Sequence, residues 1–273
     1  MIPQITLNNG DRMPQLGFGV FQVPDDATQQ AVEAALAAGY RSIDTAAVYG
    51  NERGVGRALA AAGIAREELF VTTKLWVPDM GREVTEAALE ASLAKLGLDA
   101  VDLYLIHWPA PRTDAYLDAW QTMEKLVADG RTRAIGVSNF LPEHLDRLVA
   151  LGGTVPAVNQ IELHPALQNR AAVAANQKLG VATEAWSPLA QGAVLSDEPV
   201  TAAARAHGVS PAQVVLRWHL QKGNVVIPKS VTPKRISENF DVFGFELTQA
   251  EMDAVDGLDR DGRTGPHPSS FNG

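Results

Sequence analysis

Short apolar runs alternate with longer stretches whose apolar residues recur at helical spacing, and this alternation continues from residue 16 to residue 228. The runs 16–19, 42–44, 70–73, 103–106, 133–138, 157–162, 181–186 and 225–228 read as strands. Between them the spacing predicts a helix over 25–38, with Val32, Ala35 and Leu36 on one face and Gly39 as a left-handed C-cap. Further helices are predicted over 51–62, over 85–96 with Leu89, Leu93 and Leu96 aligned, over 115–129, from Pro142, over 170–179 and over 211–222. Proline suits the first turn of a helix, where its missing N–H is not needed. Residues 187–210 read as a long loop, and two last helices, 233–240 and 248–257, precede a tail rich in Gly, Pro and Ser. Ahead of all this, Ile5-Thr6-Leu7 and Arg12-Met13 flank an Asn/Gly turn and predict a hairpin. Strands alternating with amphipathic helices imply α/β architecture with a parallel sheet. Eight strands favour a closed (β/α)8 TIM barrel over an open doubly wound sheet. The expected layout is one domain over residues 1–273, with an N-terminal β-hairpin and extra C-terminal helices.

Composition narrows the function classes. A formal charge of −9 argues against nucleic acid or an anionic membrane surface as the main partner. With no cysteine, disulfides, thiolate catalysis and zinc ribbons are excluded, and the six histidines form no pair or cluster at metal-ligand spacing. No run approaches the ~20 apolar residues that cross a bilayer. The N-terminal segment lacks a basic leader followed by an apolar run, so a cytoplasmic location is the expectation. Two partial motifs fail. Gly17-Phe18-Gly19 is half of a dinucleotide fingerprint with Gln22 in place of its last glycine, and Gly136-Val137-Ser138 begins a nucleophile elbow that Phe140 breaks.

The candidate chemistry sits at strand ends. The stretch 39–56 carries a strand ending at Asp44, a loop with Tyr49 and a helix opening near Asn51, while 70–73 runs into Lys74 and 103–106 into His107. In a barrel of parallel strands these ends converge on one rim. A free tyrosine, with a pKa of ~10, is a poor acid at neutral pH, and a nearby ammonium lowers that value. Asp44 would keep Lys74 cationic, Lys74 would make Tyr49 a usable general acid, and His107 could orient a substrate oxygen. A structural Asp44–Lys74 ion pair beside a packed Tyr49 and His107 is the competing reading. No nucleophile, metal or redox-active side chain accompanies the set, so carbonyl reduction would need a bound electron donor. Ser138, Asn139, Gln160 and Trp186, at the ends of later strands, could hold a carboxamide and stack on an aromatic ring, although from the sequence alone core packing is the first reading of Trp186. Lys229, Ser230, Arg235, Glu238 and Asn239 surround a short helix start, where cations, a hydroxyl and the helix dipole suit a phosphate monoester.

Residues 39–56, with Asp44, Tyr49 and the Gly/Asn/Glu sequence that follows, resemble the first signature of the aldo-keto reductases, and Ile227-Pro228-Lys229-Ser230 resembles their cofactor-phosphate signature. The likeness covers nearly the whole chain and is greatest to bacterial 2,5-diketo-D-gluconate reductase-type enzymes. It implies a monomeric barrel whose hairpin plugs the bottom and which uses NADPH/NADP+ to reduce aldehydes or ketones such as keto-sugar acids and α-dicarbonyls. Asp44, Tyr49, Lys74 and His107 would form the catalytic tetrad. Ser138, Asn139, Gln160 and Trp186 would meet the nicotinamide. Trp186 stands where many members have tyrosine. Ser187, Leu189, Gln191 and Gly192 would cover the pyrophosphate, Lys229, Ser230 and Arg235 the 2′-phosphate, and Glu238 and Asn239 the adenosine. Phe21, Val48, Trp76, Trp108 and His267 are candidates for the substrate pocket. A reductase-like barrel serving as a cofactor-sensing regulatory subunit is the alternative reading.

Overall fold

The computed structural model describes residues 2–273. A two-stranded antiparallel hairpin comes first, β1 (Gln4–Thr6) and β2 (Arg12–Pro14). The barrel strands are β3 (Phe18–Gly19), β4 (Ser42–Asp44), β5 (Phe70–Leu75), β6 (Val101–Ile106), β7 (Thr132–Ser138), β8 (Val158–Glu162), β9 (Ala182–Trp186) and β10 (Val225–Val226). Every neighbouring pair is parallel, and the strands lie in sequence order from β3 to β10. The ring closes where Val226 N donates to Gln15 O at 3.0 Å and Gly17 N to Val226 O at 2.8 Å. β5 and β6 are buried along their whole length, as strands sandwiched between a barrel interior and a helix layer must be; β6 reads as an apolar run broken only by Asp102, whereas β5 also buries Thr72, Thr73 and Lys74.

The helices α1 (Asp25–Ala38), α2 (Glu52–Ala61), α3 (Val84–Leu96), α4 (Ala115–Ala128), α5 (Pro142–Val149), α6 (Arg170–Leu179), α7 (Glu198–His207), α8 (Pro211–Gln221), α9 (Pro233–Phe240) and α10 (Gln249–Asp256) clothe the sheet. Gly39 ends α1 at φ 114° beneath the Phe240 ring, where a β-carbon would lie 2.6 Å from that ring, so both its conformation and its lack of a side chain are needed. α7 lies inside the stretch that reads as a loop in the sequence. Pro199 occupies its first turn, and its buried Val200, Ala203 and Ala204 form a narrow apolar stripe of small residues that is easily passed over as polar chain. β10 is also shorter than expected, because beyond Val226 the chain departs toward a rim loop.

Two cores follow from this layering. The larger lies between sheet and helices. The smaller, at the bottom of the barrel, joins Leu7 and Met13 of the hairpin to Phe70, Leu103, Leu105, Ala134, Val158 and Val225, so the hairpin does stopper the barrel. Filling this end leaves the C-terminal rim as the open one.

Candidate active site

Strand pleating sorts the side chains of β5. Thr73 faces outward and donates to the buried Glu52 of α2 at 2.7 Å, while Lys74, on the opposite face, enters the barrel interior and is completely enclosed. Its ammonium uses three donors: to Asp44 Oδ1 at 2.6 Å, to Thr45 O at 2.9 Å and to the Tyr49 hydroxyl oxygen at 3.3 Å. Tyr49 sits in a single 3-10 turn, Ala47–Tyr49, closed by Gly50 at φ 69°. Asn51 ties that turn to the first rim loop, accepting from Thr45 Oγ1 and donating to Val20 O and Val23 O, each at 2.9 Å. Beyond β6, the His107 ring packs edge-on to Tyr49 at 5.6 Å and to Trp76 at 5.2 Å. Four side chains from three strand ends and one loop thus meet at one mouth.

Electrostatics sets their protonation. Burial works against the Lys74 ammonium, but Asp44 and Tyr49 more than offset it, and its pKa is raised. Burial also raises that of Tyr49, and although Lys74 pulls the other way as the sequence suggests, burial wins. Tyr49 is therefore a phenol at neutral pH whose oxygen accepts from Lys74, leaving its own hydrogen free for a second acceptor. Burial, with Lys74 assisting, holds His107 far below the usual imidazole range, so it is a neutral ring.

Next to this set lies an amide cluster. Ser138 Oγ donates to Gln160 O at 2.8 Å, and Asn139, at φ 64°, donates through its side chain to His107 O at 2.9 Å and to Ser138 Oγ at 3.0 Å. Trp186 Nε1 donates to Asn139 Oδ1 at 2.8 Å. Gln160 Nε2 gives one hydrogen to Asp44 Oδ2 and the other to Glu184 Oε2, both at 2.8 Å. The Gln160 nitrogen is thus fully committed, and what this cluster offers a ligand is chiefly the carbonyl oxygens of Asn139 and Gln160. These suit the NH2 of a carboxamide. Ser187, Ala190 and Gln191 have φ of 47°, 49° and 53°, an unusual density of left-handed non-glycine residues, at a cost on the order of 1–3 kcal/mol each. Leu189 and Gly192 complete that loop, which His219 fastens by its ring nitrogen 3.2 Å from Pro188 O. Across the rim, Lys229 and Arg235 are exposed and have no carboxylate partner among the described residues. Ser230 Oγ accepts from Thr232 N at 3.1 Å, Lys234 lies 3.7 Å from Glu238, and Asn239 is buried. The donor set fits a nicotinamide dinucleotide with an additional phosphate: carbonyl acceptors at one end, free cations at the other.

The pocket walls are aromatic. Phe21 lies 5.1 Å from Tyr49, and both it and Val48 are exposed at the mouth. Phe271 stands 4.4 Å from Trp108 and 6.1 Å from Trp76. Phe271 was not anticipated from the sequence. His267, which was, is exposed and accepts from or donates to Ser269 Oγ at 2.7 Å within its own turn, away from these rings. Glu162 explains the path of the tail. Fully enclosed, it accepts from Thr264 N and Oγ1 at 2.6 Å and from Gly265 N at 3.1 Å. Gly265 then passes Trp186 so closely that a β-carbon would lie 2.5 Å from the indole. Burial raises the Glu162 pKa, but hydrogen bonds from His164, Thr264 and Gly265 lower it further, to about 2. A depressed carboxyl stabilises the fold above its unfolded pKa, so this anchor is present above about pH 4.5 and lost as pH falls toward 2. Glu162→Gln should therefore speed hydrogen exchange at the Thr264 and Gly265 amides at neutral pH, whereas unchanged exchange would show that the tail is held elsewhere.

The aldo/keto reductase family profile matches residues 15–260. An aldo-keto reductase of Mycolicibacterium smegmatis is 53% identical over 272 residues, covering 100% of this chain and 99% of the relative. The methylglyoxal reductase DkgA of Yersinia pestis is 54% identical over 273 residues, covering 99% of this chain and 98% of the relative. A variant of Gox0644, crystallised in complex with NADPH, superposes with a TM-score of 0.95 at 47% identity over 99% of both chains. A profile match over most of the length, together with relatives above half identity end to end, establishes that this chain belongs to the aldo/keto reductase family.

Proposed function

We propose that this protein reduces aldehyde and ketone carbonyls to alcohols with NADPH, and that α-dicarbonyls and other small uncharged carbonyl compounds are its substrate class. The observation that carries the reading is the Lys74 ammonium held between Asp44 at 2.6 Å and the Tyr49 hydroxyl at 3.3 Å beside a neutral His107. The missing chemistry, hydride from nicotinamide C4 to the carbonyl carbon, is what NADPH supplies when bound. Tyr49 transfers its proton to the carbonyl oxygen as charge develops there, and Lys74 stabilises the phenolate left behind. His107 presents one N–H to the same oxygen and orients it. Asn139 and Gln160 offer carbonyl acceptors to the carboxamide, Trp186 its indole face, and Ser187, Leu189, Gln191 and Gly192 cover the pyrophosphate. Phe21, Val48, Trp76, Trp108 and Phe271 exclude water around the reacting carbon. The preference for uncharged substrates rests on that apolar wall and on the Lys74 ammonium at its base being paired with Asp44. The Yersinia pestis relative's name, methylglyoxal reductase, points the same way. The first test is NADPH oxidation with methylglyoxal compared with a keto-sugar acid. No turnover of either would refute the reading, and a strong preference for the acid would move the substrate class.

Cofactor choice is a second expected result. Lys229, Ser230 and Arg235 would hold the 2′-phosphate, with Glu238 and Asn239 beside the adenosine. Each charged hydrogen bond is worth roughly 1.5–3 kcal/mol, or about 10- to 100-fold in affinity. Lys229→Gly with Arg235→Ala should erode NADPH binding far more than NADH binding, and added salt should narrow the gap in the wild type, because these side chains are exposed. Equal dissociation constants for the two cofactors at low salt, read by tryptophan quenching, would reject this assignment.

A further inference from the structure

Glu184 has no part in that scheme, yet it touches it. It lies in β9 in register with Gln160 of β8, and two residues before Trp186, hence on the same inward face. The side chain is completely enclosed; Oε2 accepts from Gln160 Nε2 at 2.8 Å and Oε1 has no partner. The same amide nitrogen holds Asp44 Oδ2 at 2.8 Å, so two carboxyl groups share one NH2. A buried carboxyl with an unpaired oxygen costs folding energy that an apolar residue at this position would not.

We propose that Glu184 is a further positioning residue for carbonyl reduction: it locks the Gln160 amide onto Asp44, and its gain or loss of a proton changes the charge balance around Lys74 and Tyr49. The proposal rests on the carbonyl-reductase reading of that network. The groups facing Glu184 are Asp44 from β4, Lys74 from β5, Tyr49 from the turn after β4 and Gln160 from β8, while β10 contributes only Val225 and Val226. One ammonium among two carboxyl groups balances only one of them. Asp44 is the one bonded directly to Lys74, at 2.6 Å. Burial and the Asp44 charge push Glu184 up to about 8, so at neutral pH it is an uncharged acid and the network is neutral overall. Above that pH a second negative charge appears, and it favours the protonated forms of both Lys74 and Tyr49.

The consequence differs for the two directions of the reaction. Reduction consumes one carbonyl, one NADPH and one proton, and needs Tyr49 as phenol; the reverse oxidation of an alcohol by NADP+ needs the phenolate to accept that proton. Ionised Glu184 opposes the phenolate. In wild type, alcohol oxidation should therefore rise less steeply above about pH 8 than in Glu184→Gln, whose side chain keeps the shape and a hydrogen-bonding oxygen but cannot ionise.

The decisive readout needs no turnover. Tyrosinate absorbance of the cofactor-free protein, taken as the difference between each protein and its Tyr49→Phe counterpart, should show Tyr49 titrating about 1 pH unit lower in Glu184→Gln than in wild type. Coincident titration curves, together with coincident pH profiles for alcohol oxidation, would overturn the proposal. If Glu184→Gln does not reach the native fold, wild-type protein labelled with carbon-13 at the glutamate carboxyls carries the test. One carboxyl titrating between about pH 7 and 9 is expected, and titration of every glutamate below about pH 6 would overturn it. Wild type that fails to reduce any carbonyl would instead remove the functional reading, an outcome these titrations cannot mimic.

Discussion

Tyr49→Phe should lower kcat for methylglyoxal reduction by about 10²- to 10⁴-fold, the range expected for losing a positioned general acid. The substitution removes one oxygen, 3.3 Å from Lys74 Nζ, and keeps the ring that packs against Phe21 and His107. Without it, hydride arrival would leave an alkoxide facing only water and the N–H of neutral His107, a far weaker acid than the phenol. NADPH affinity should change by no more than about twofold, a few tenths of a kcal/mol, because the phenol lies at the opposite end from Lys229 and Arg235. Steady-state rates and fluorescence titration on the same preparation separate the two effects. Turnover close to wild type would remove Tyr49 from the acid role.

Lys74→Met has a second large effect, and here stability and catalysis must be disentangled. The ammonium is wholly buried and paired to a nearly buried Asp44, so deleting it strands a carboxylate at a cost on the order of 3–5 kcal/mol. The same change removes the one influence that lowers the Tyr49 pKa, against burial and Asp44, which both raise it. Loss of at least about 100-fold in kcat is expected alongside the lower melting temperature. Adding Asp44→Asn to Lys74→Met removes the stranded charge and should restore much of the stability while leaving the rate low. A double variant that regained both would make the pair a structural ion pair and nothing more.

Much of the site is legible in the chain because a barrel turns sequence into geometry. When eight parallel strands close in order, whatever follows each strand lands on one rim, so Asp44, Lys74 and His107 could be gathered without any knowledge of distances. The same logic brought Ser138, Asn139, Gln160 and Trp186 together. It has no purchase on residues whose role depends on which neighbour takes which hydrogen. Gln160 reads as a carboxamide ligand, but its NH2 is spent on two carboxyl groups. Glu184 reads as an ordinary strand residue; the signal available was an acid at a period of two from Trp186 on a face that must be enclosed. α7 leaves little trace in the pattern because its buried residues are mostly alanines.

The tail marks the boundary most clearly. Its Gly/Pro/Ser content rightly announces irregular chain, but that Glu162 would hold Thr264 from across the molecule, and that Phe271 rather than His267 would come to lie against Trp108, depends on a loop's path over a finished rim. The periodic pattern and the strand ends determine the barrel and its chemistry, because both are local properties repeated eight times. Only the tertiary structure decides the path of the tail, the partners of Gln160 and the protonation of Tyr49. Each of these is a competition among groups far apart in sequence: here, burial of the phenol against the Lys74 charge, with burial prevailing.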